Sequence, residues 1–205
     1  MAYLKTGRTD RTASFEPMTD VISWSTQYLT DADLLVIAKY LKTLPARQPE
    51  ERVTQSSPSS YPVGKAIYDD NCALCHGRYG EGIARMFPQL SGNSIVTGPL
   101  PDSLVNIIHE GATLPAGNWA PSTVSMPAYA DRLSSQQTAD LINYLRGAWG
   151  NRSSTTFRAK DIEQIIRDGG NAGAGNTAGW TIMQAQPYGK QWTFQIARGL
   201  YRSQC

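Results

Sequence analysis

The segment NCALCHGRYGEG, residues 71–82, carries the most information in this chain. It holds Cys72, Cys75 and His76 within five positions, although the whole sequence has only three cysteines and two histidines. The order C-x-x-C-H is typical of the attachment site of a c-type haem. Two cysteine sulfurs would bond to the porphyrin edge, and the histidine that follows directly would reach the iron. We therefore predict covalent haem attachment at these three residues.

Two other kinds of site use the same residue types. Structural zinc sites take four ligands from Cys and His, and only Cys205 and His109 remain in the sequence to supply the fourth. A thioredoxin-like redox pair needs a βαβ context, which the surrounding sequence lacks. The residues around the motif favour haem, and zinc and redox chemistry stay open as alternatives.

A second axial ligand for the iron has to come from elsewhere in the chain. The candidates after His76 are Met86, Met126, Met183 and His109. Met126 lies in SMPAYA, where Pro127 fixes the backbone just past it, so this segment is predicted to be a strap that presents a side chain. Met86 follows His76 too closely and is interpreted as a core or loop methionine that fills a gap. His109, expected on a helix, is the second candidate.

The composition argues against several classes of function. The 205 residues suit one or two domains, and the net charge of +2 creates no field for nucleic acid or an anionic membrane. No segment approaches the roughly 18 consecutive apolar residues of a membrane span. The first residues do not resemble a secretory signal, although haem is normally attached outside the cytoplasm. We therefore expect that a signal was removed or that the sequence belongs to a longer chain.

Residues 29–42 and 133–146 form a weak internal repeat, LTDADLLVIAKYLK against LSSQQTADLINYLR. Aligned without gaps, Leu41 meets Leu145. Both copies open with a hydroxyl residue that can cap a helix, and both carry apolar residues at helical spacing. The sequence therefore predicts two related helices.

The first copy of the repeat has no cysteine ahead of it. Residues 1–45 are therefore interpreted as the C-terminal remnant of a preceding domain of the same kind. Met18 precedes the first copy as Met126 precedes the second, but without a haem motif it is expected to be only a packed or exposed methionine.

The rest of the chain divides by composition. Residues 46–60 are rich in proline and serine and predict a linker. Residues 61–150 form the predicted domain, in which 77–101 should be loop. Its helices are predicted at about 63–71, 101–110 and 135–147.

Residues 151–205 are predicted to form an extension of unknown role. The pattern FRAKDIEQIIRDGG predicts a short amphipathic helix closed by Gly169 and followed by a flexible glycine-rich segment. Cys205 stands alone at the end and is interpreted as a free thiol, with an intermolecular link as the alternative.

These motifs resemble a class I cytochrome c domain over about residues 61–150. In that family CALCH is the haem attachment site and MPAY is the methionine strap. Pro88 matches the proline whose carbonyl accepts a hydrogen bond from the proximal histidine, which fixes the orientation of the ring. Leu90 matches a leucine that packs on the haem. The resemblance thus implies Cys72, Cys75, His76, Pro88, Leu90 and Met126 as the haem site.

The resemblance also covers the helices. Gly64 and Tyr68 match the glycine and the aromatic residue of the family's first helix. LINYLR matches its last helix, in which Leu141 and Tyr144 would pack across the first.

A closer resemblance concerns triple-haem cytochrome c subunits of bacterial periplasmic dehydrogenases for alcohol, gluconate and aldehyde. VSMPAYADRLSSQQTADLINYLRGAWGN is similar to their third haem domain, and STQYLTDADLLVIAKYLKTLP resembles the end of their second. This resemblance implies a periplasmic subunit, or one at the outer face of the cytoplasmic membrane. It would take electrons from a dehydrogenase catalytic subunit and pass them to a quinone or another respiratory acceptor.

We therefore expect an all-α protein with the cytochrome c fold, a small helical domain around one covalent haem c, with irregular N- and C-terminal extensions. With His76 and Met126 on the iron, no axial position stays open for chemistry, so we expect electron transfer and not catalysis. The alternative is a haem-based sensor or a catalytic haem protein with a weak sixth ligand, which would bind carbon monoxide when reduced.

Overall fold

A computed structural model describes residues 1–15, 17–45, 61–117, 123–153 and 155–176. They are mostly helical, and the only sheet within these ranges pairs two short strands. In chain order the elements are α1 (Ala2–Thr6), α2 (Pro17–Trp24), a 3-10 helix (Thr26–Tyr28), α3 (Asp31–Thr43), α4 (Tyr61–Asn71), α5 (Ala73–His76), α6 (Ser94–Thr97), α7 (Asp102–Glu110), β1 (Ala112–Thr113), β2 (Ser125–Met126), α8 (Ser135–Gly147) and α9 (Ala159–Asn176). The predicted all-α fold class is confirmed.

The core is built on the crossing of α4 and α8. Gly64 lies at the crossing, where a Cβ atom would collide with the Asp140 carbonyl oxygen and lie 2.7 Å from Tyr144 Cβ. Glycine therefore lets the two helices approach this closely. The rings of Tyr68 and Tyr144, with centroids 5.7 Å apart, pack beside this contact.

Trp149 extends the aromatic cluster beyond the end of α8. Its ring centroid lies 4.9 Å from that of Tyr68 and 5.5 Å from that of Tyr144. The Tyr68 hydroxyl also donates a hydrogen bond to the Gly77 carbonyl, just after α5. The same cluster thus joins the helical core to the C-x-x-C-H segment.

The predicted helices are found where the local signals are strong. Ser134 caps α8, since its hydroxyl accepts a hydrogen bond from the Gln137 amide at 3.3 Å. Helix α7 ends at Glu110, close to its predicted end, and Gly111 follows with its backbone at a φ of 76°. The predicted loop over 77–101 contains one short helix, α6, which Asn93 caps through its side-chain oxygen.

The prediction for the C-terminal helix was wrong at its end. Helix α9 does not stop at Gly169 but continues to Asn176. A glycine in a helix costs about 1 kcal/mol relative to alanine, which a continuing helix tolerates. The glycine-rich residues 171–176 thus belong to this helix. None of the described helices is long and apolar enough to cross a membrane.

The chain divides into one unit of residues 1–166 and another of residues 167–205. Within the first unit, residues that follow position 150 contact the core, and Ile162 is fully buried there. The division of the chain into a remnant, a linker, a domain and an extension stays a prediction. The linker residues 46–60 and Cys205 lie outside the described residues.

Candidate functional site

An apolar cavity opens beside α5 and is walled by α7, α8, β2 and the segment that follows residue 87. The space between these walls measures about 660 Å³ when the open solvent at its mouth is counted. The predicted site residues that line this one cavity are Cys72, His76, Pro88, Leu90 and Met126. The sixth predicted site residue, Cys75, is half-buried and lies one position before His76 in α5.

One helical turn arranges the C-x-x-C-H motif. The amides of Cys75 and His76 donate to the Cys72 carbonyl at 3.1 and 2.9 Å. Residues three and four apart in a helical turn are surface neighbours, so Cys75 and His76 both lie next to Cys72. Gly77 ends the turn at a φ of 79°, a conformation that favours glycine.

The His76 ring is oriented by a backbone carbonyl. Its Nδ1 atom lies 2.9 Å from the Pro88 oxygen, which is the contact that the family resemblance implies. A carbonyl can only accept, so Nδ1 carries the proton and Nε2 is left with its lone pair. Burial lowers the pKa of His76, and the weaker effect of the Pro88 hydrogen bond opposes it. The imidazole is therefore neutral at pH 7, the form that binds a metal.

The loop that follows His76 folds back to bring Pro88 into place. The Gly82 amide donates to the His76 carbonyl at 2.7 Å, and Ile83 pairs with Phe87 as an isolated antiparallel bridge. Gly82 has a φ of 63°, and a Cβ there would lie 2.8 Å from the Gln89 amide nitrogen. The glycine-rich part of the motif is thus required by this tight return.

Burial keeps Cys72 in its thiol form. It raises the pKa of the thiol to about 12, and the neighbouring Cys75 adds a smaller electrostatic contribution. Neither cysteine is joined in a disulfide.

Met126 is held by strand pairing and by a close backbone contact. Met126 in β2 pairs with Ala112 in β1. A Cβ at Gly111 would lie 2.5 Å from the Met126 carbonyl oxygen, so glycine is needed beside the strap. Tyr129 anchors the strap from its other side by donating to the Asn71 carbonyl at 2.8 Å. Met126 thus lines the cavity from a segment whose backbone is held on both sides.

The alternative ligands are not brought to the cavity. His109 Nδ1 lies 2.6 Å from Glu110 Oε1, and neither His109 nor Met86 lines the cavity. Met86 is 46% exposed, and Met183 lies outside the described residues. Within the described ranges, no group of three or more His, Cys, Asp or Glu side chains is arranged to hold a metal ion.

One wall of the cavity was not predicted from the sequence. Thr12, Ala13 and Phe15 line it together with the predicted site residues. They belong to the segment that was interpreted as the remnant of another domain, and no local sequence pattern connects them with a site more than fifty positions later.

The donors present fit a haem iron. The cavity brings together one neutral imidazole, one methionine thioether and one thiol, in walls that are otherwise largely aliphatic. Imidazole with thioether is an axial pair of c-type cytochromes. A structural zinc site needs four ligands, whereas the donors at this cavity are too few among the described residues.

Comparison with known proteins agrees with this donor set. The family model Cytochrome c matches residues 63–149. The chain is 43% identical to "Alcohol dehydrogenase (quinone), cytochrome c subunit" of Gluconacetobacter polyoxogenes over 94% of its length and 44% of that protein. It is 38% identical to the protein of the same name from Gluconobacter oxydans (strain 621H), over 95% of this chain and 43% of that one.

A further relative is "Gluconate 2-dehydrogenase cytochrome c subunit" of Pantoea cypripedii, 38% identical over 81% of this chain and 40% of that protein. The chain thus spans less than half the length of the relatives it matches. Residues 63–149, which contain the attachment motif, the oriented histidine and the methionine strap, are therefore a domain of the cytochrome c family.

Proposed function

We propose that this chain carries one haem c, bound through Cys72 and Cys75, with His76 and Met126 as axial ligands. The observation that carries the proposal is the shared cavity, in which His76, oriented at 2.9 Å by the Pro88 carbonyl, and Met126 are both wall residues. Leu90 supplies part of the apolar wall. The sequence contains the C-x-x-C-H motif once, which supports one haem per chain.

The residues of the site would prepare the cofactor for electron transfer. The Pro88 carbonyl holds the proton on His76 Nδ1, which keeps Nε2 available and makes the imidazole a stronger donor. As a ligand, the Met126 thioether would favour the reduced iron. The apolar wall disfavours the additional charge of the oxidised state. With both of these ligands bound to its iron, the haem would supply a one-electron redox couple and leave no position for substrate.

The relatives suggest where the electrons come from and where they go. They are cytochrome c subunits of a quinone-dependent alcohol dehydrogenase and of a gluconate 2-dehydrogenase. We infer that this chain takes electrons from the catalytic subunit of such a dehydrogenase. A quinone or another respiratory component would be the acceptor, and the periplasm, or the outer face of the cytoplasmic membrane, the location.

The first experiment measures the haem. The chain is expressed in a host that attaches haem c, and a pyridine haemochrome assay is compared with the protein concentration. We expect one thioether-linked haem per chain and a low-spin reduced spectrum that carbon monoxide does not change. A colourless protein would contradict the proposal and favour zinc. A reduced protein that binds carbon monoxide readily would keep the haem and reject Met126, which favours the sensor or catalytic alternative.

The second experiment tests the ligand itself. Met126→Ala should open the sixth position, so that the reduced protein binds carbon monoxide and loses its low-spin spectrum. Met86→Ala is the matched control, because Met86 is 46% exposed and does not line the cavity. Equal spectra for the two variants and the parent chain would exclude Met126 as the ligand.

A third experiment tests the electron donor. The haem-loaded chain is mixed with the catalytic subunit of a quinone-dependent alcohol dehydrogenase and its alcohol, and haem reduction is followed optically. We expect reduction that requires both the catalytic subunit and the alcohol. An oxidised haem in the complete mixture would contradict the assignment of that donor but leave the haem site unaffected.

A further inference from the structure

The segment of residues 7–15, the N-terminal hairpin, has a defined fold of its own. Arg8 and Ala13 form an antiparallel bridge, and the Ser14 amide donates to the Gly7 carbonyl at 2.7 Å. The turn is closed by the Thr9 amide, which donates to the Thr12 carbonyl at 2.8 Å. Backbone pairing therefore determines which side chains project from each face.

The hairpin is attached to the cytochrome c domain at two places. Asn93 lines the cavity, and its side-chain Nδ2 donates a hydrogen bond to the Arg11 carbonyl at 3.2 Å. On the other side, the buried guanidinium of Arg8 donates to the Pro115 carbonyl at 3.1 Å. These two contacts reach the segments before α6 and after β1, which lie on either side of α7 in the sequence.

Glycine at position 7 allows the second contact to be close. Gly7 has a φ of 68°, and a Cβ there would lie 2.7 Å from Pro115 Cγ and 2.6 Å from Ser14 Oγ. The hairpin is thus packed against the domain.

We propose that the N-terminal hairpin is part of the haem site, with Thr12, Ala13 and Phe15 in contact with the bound cofactor. These side chains share the cavity with His76 and Met126. The inference rests on the proposed function, since it requires the haem to occupy that cavity. It adds to the site a wall that lies outside residues 63–149, the part that matches the family.

Such a wall has a functional consequence. The methyl groups of Thr12 and Ala13 and the ring of Phe15 replace water on one side of the cofactor. Water stabilises the oxidised haem, which carries one more positive charge, better than carbon does. The hairpin therefore makes the haem easier to reduce and protects it from small molecules in solution.

A contact measurement on the unaltered chain tests the proposal directly. The haem-loaded protein is reduced to its low-spin, diamagnetic state, and nuclear Overhauser spectra are recorded. We expect cross-peaks from haem protons to the Phe15 ring and to the methyl groups of Thr12 and Ala13. The Trp24 ring, which is 81% exposed on α2, serves as internal control and should show none. Absence of all cross-peaks to the hairpin in a haem-loaded sample would overturn the proposal.

A pair of variants tests the consequence. Phe15→Ala should lower the ratio of ferrous to ferric haem at fixed ambient potential about threefold, equivalent to about 28 mV for a one-electron couple. Phe15→Leu should restore most of the ratio, because it keeps an apolar side chain at the wall. Trp24→Ala should leave the ratio unchanged.

Equal haem reduction potentials for Phe15→Ala, Trp24→Ala and the parent chain would overturn the proposed effect of the hairpin on haem reduction. Failure of this inference is distinct from failure of the proposed function. A chain without haem contradicts the function, whereas a normal haem spectrum without contact to the hairpin contradicts only the inference.

Discussion

Helices α3 and α8 come from the two copies of the internal repeat, yet they are buried very differently. Each has 13 residues. Helix α8 buries eight of them, whereas Leu34 is the buried residue of α3. The paired leucines show the contrast most clearly, since Leu145 is 3% exposed and Leu41 is 50% exposed.

The two helices begin in the same way. Thr30 accepts a hydrogen bond from the Asp33 amide at 3.2 Å, and the Asp33 carboxylate accepts one from the Thr30 amide. Ser134 and Gln137 form the same reciprocal pair at the start of α8. Such a capping box depends only on residues three apart, so each copy forms its helix from its own sequence.

The difference lies in what each helix packs against. Helix α8 crosses α4, where Gly64 makes room for it. The described part of α3 leaves Tyr40 64% exposed, whereas its counterpart Tyr144 is 8% exposed. The repeat thus specifies where a helix forms, and a partner helix determines whether its apolar residues become core.

The largest effect is expected from truncating the paired leucines. Leu145→Ala should lower the free energy of unfolding by about 2–5 kcal/mol, because it removes a buried side chain and leaves a cavity. Leu41→Ala should change it by less than about 0.5 kcal/mol, because half of that side chain is already in water. Guanidinium chloride unfolding of the haem-loaded chain, followed by circular dichroism, measures both. Equal losses would mean that the face of α3 is covered in solution.

A smaller effect is expected at the crossing itself. Gly64→Ala should lower the free energy of unfolding by about 1–3 kcal/mol, because the new Cβ would collide with Asp140 and Tyr144. Helix propensity alone predicts the opposite sign, a gain of about 1 kcal/mol. Ala66→Gly, at an exposed position of the same helix, calibrates that propensity in the same denaturation assay. A stabilised Gly64→Ala variant would contradict the close crossing.

Features that depend on neighbouring residues in the sequence were predictable, whereas features that depend on distant contacts were not. The α7 and α8 helices were predicted from their own residues, since Gly111 and Ser134 end and begin them locally. Gly169 carried the same kind of signal but lies inside α9. A glycine is compatible both with a helix end and with a helix interior, so its sequence position alone does not decide between them.

The site was predictable to the extent that it follows the family pattern. The resemblance implied the contact between His76 and Pro88, and the structure has the two atoms at 2.9 Å. The roles of Cys72, Cys75, Leu90 and Met126 at a haem stay predictions. The hairpin wall was missed because its contact between Arg11 and Asn93 joins residues 82 positions apart, which no periodicity encodes.

The smallest effect is expected from removing the N-cap side chains, a feature that α3 and α8 share. Thr30→Ala and Ser134→Ala should each cost about 1 kcal/mol locally, since each removes the side-chain acceptor of a capping box. Amide hydrogen exchange in the first turn of each helix measures this loss in the haem-loaded chain. Ser135→Ala, next to the cap but outside the capping box, is the matched control and should change exchange little. If the loss occurred only in α8, the caps would act through tertiary packing, and helix formation in α3 would not be local.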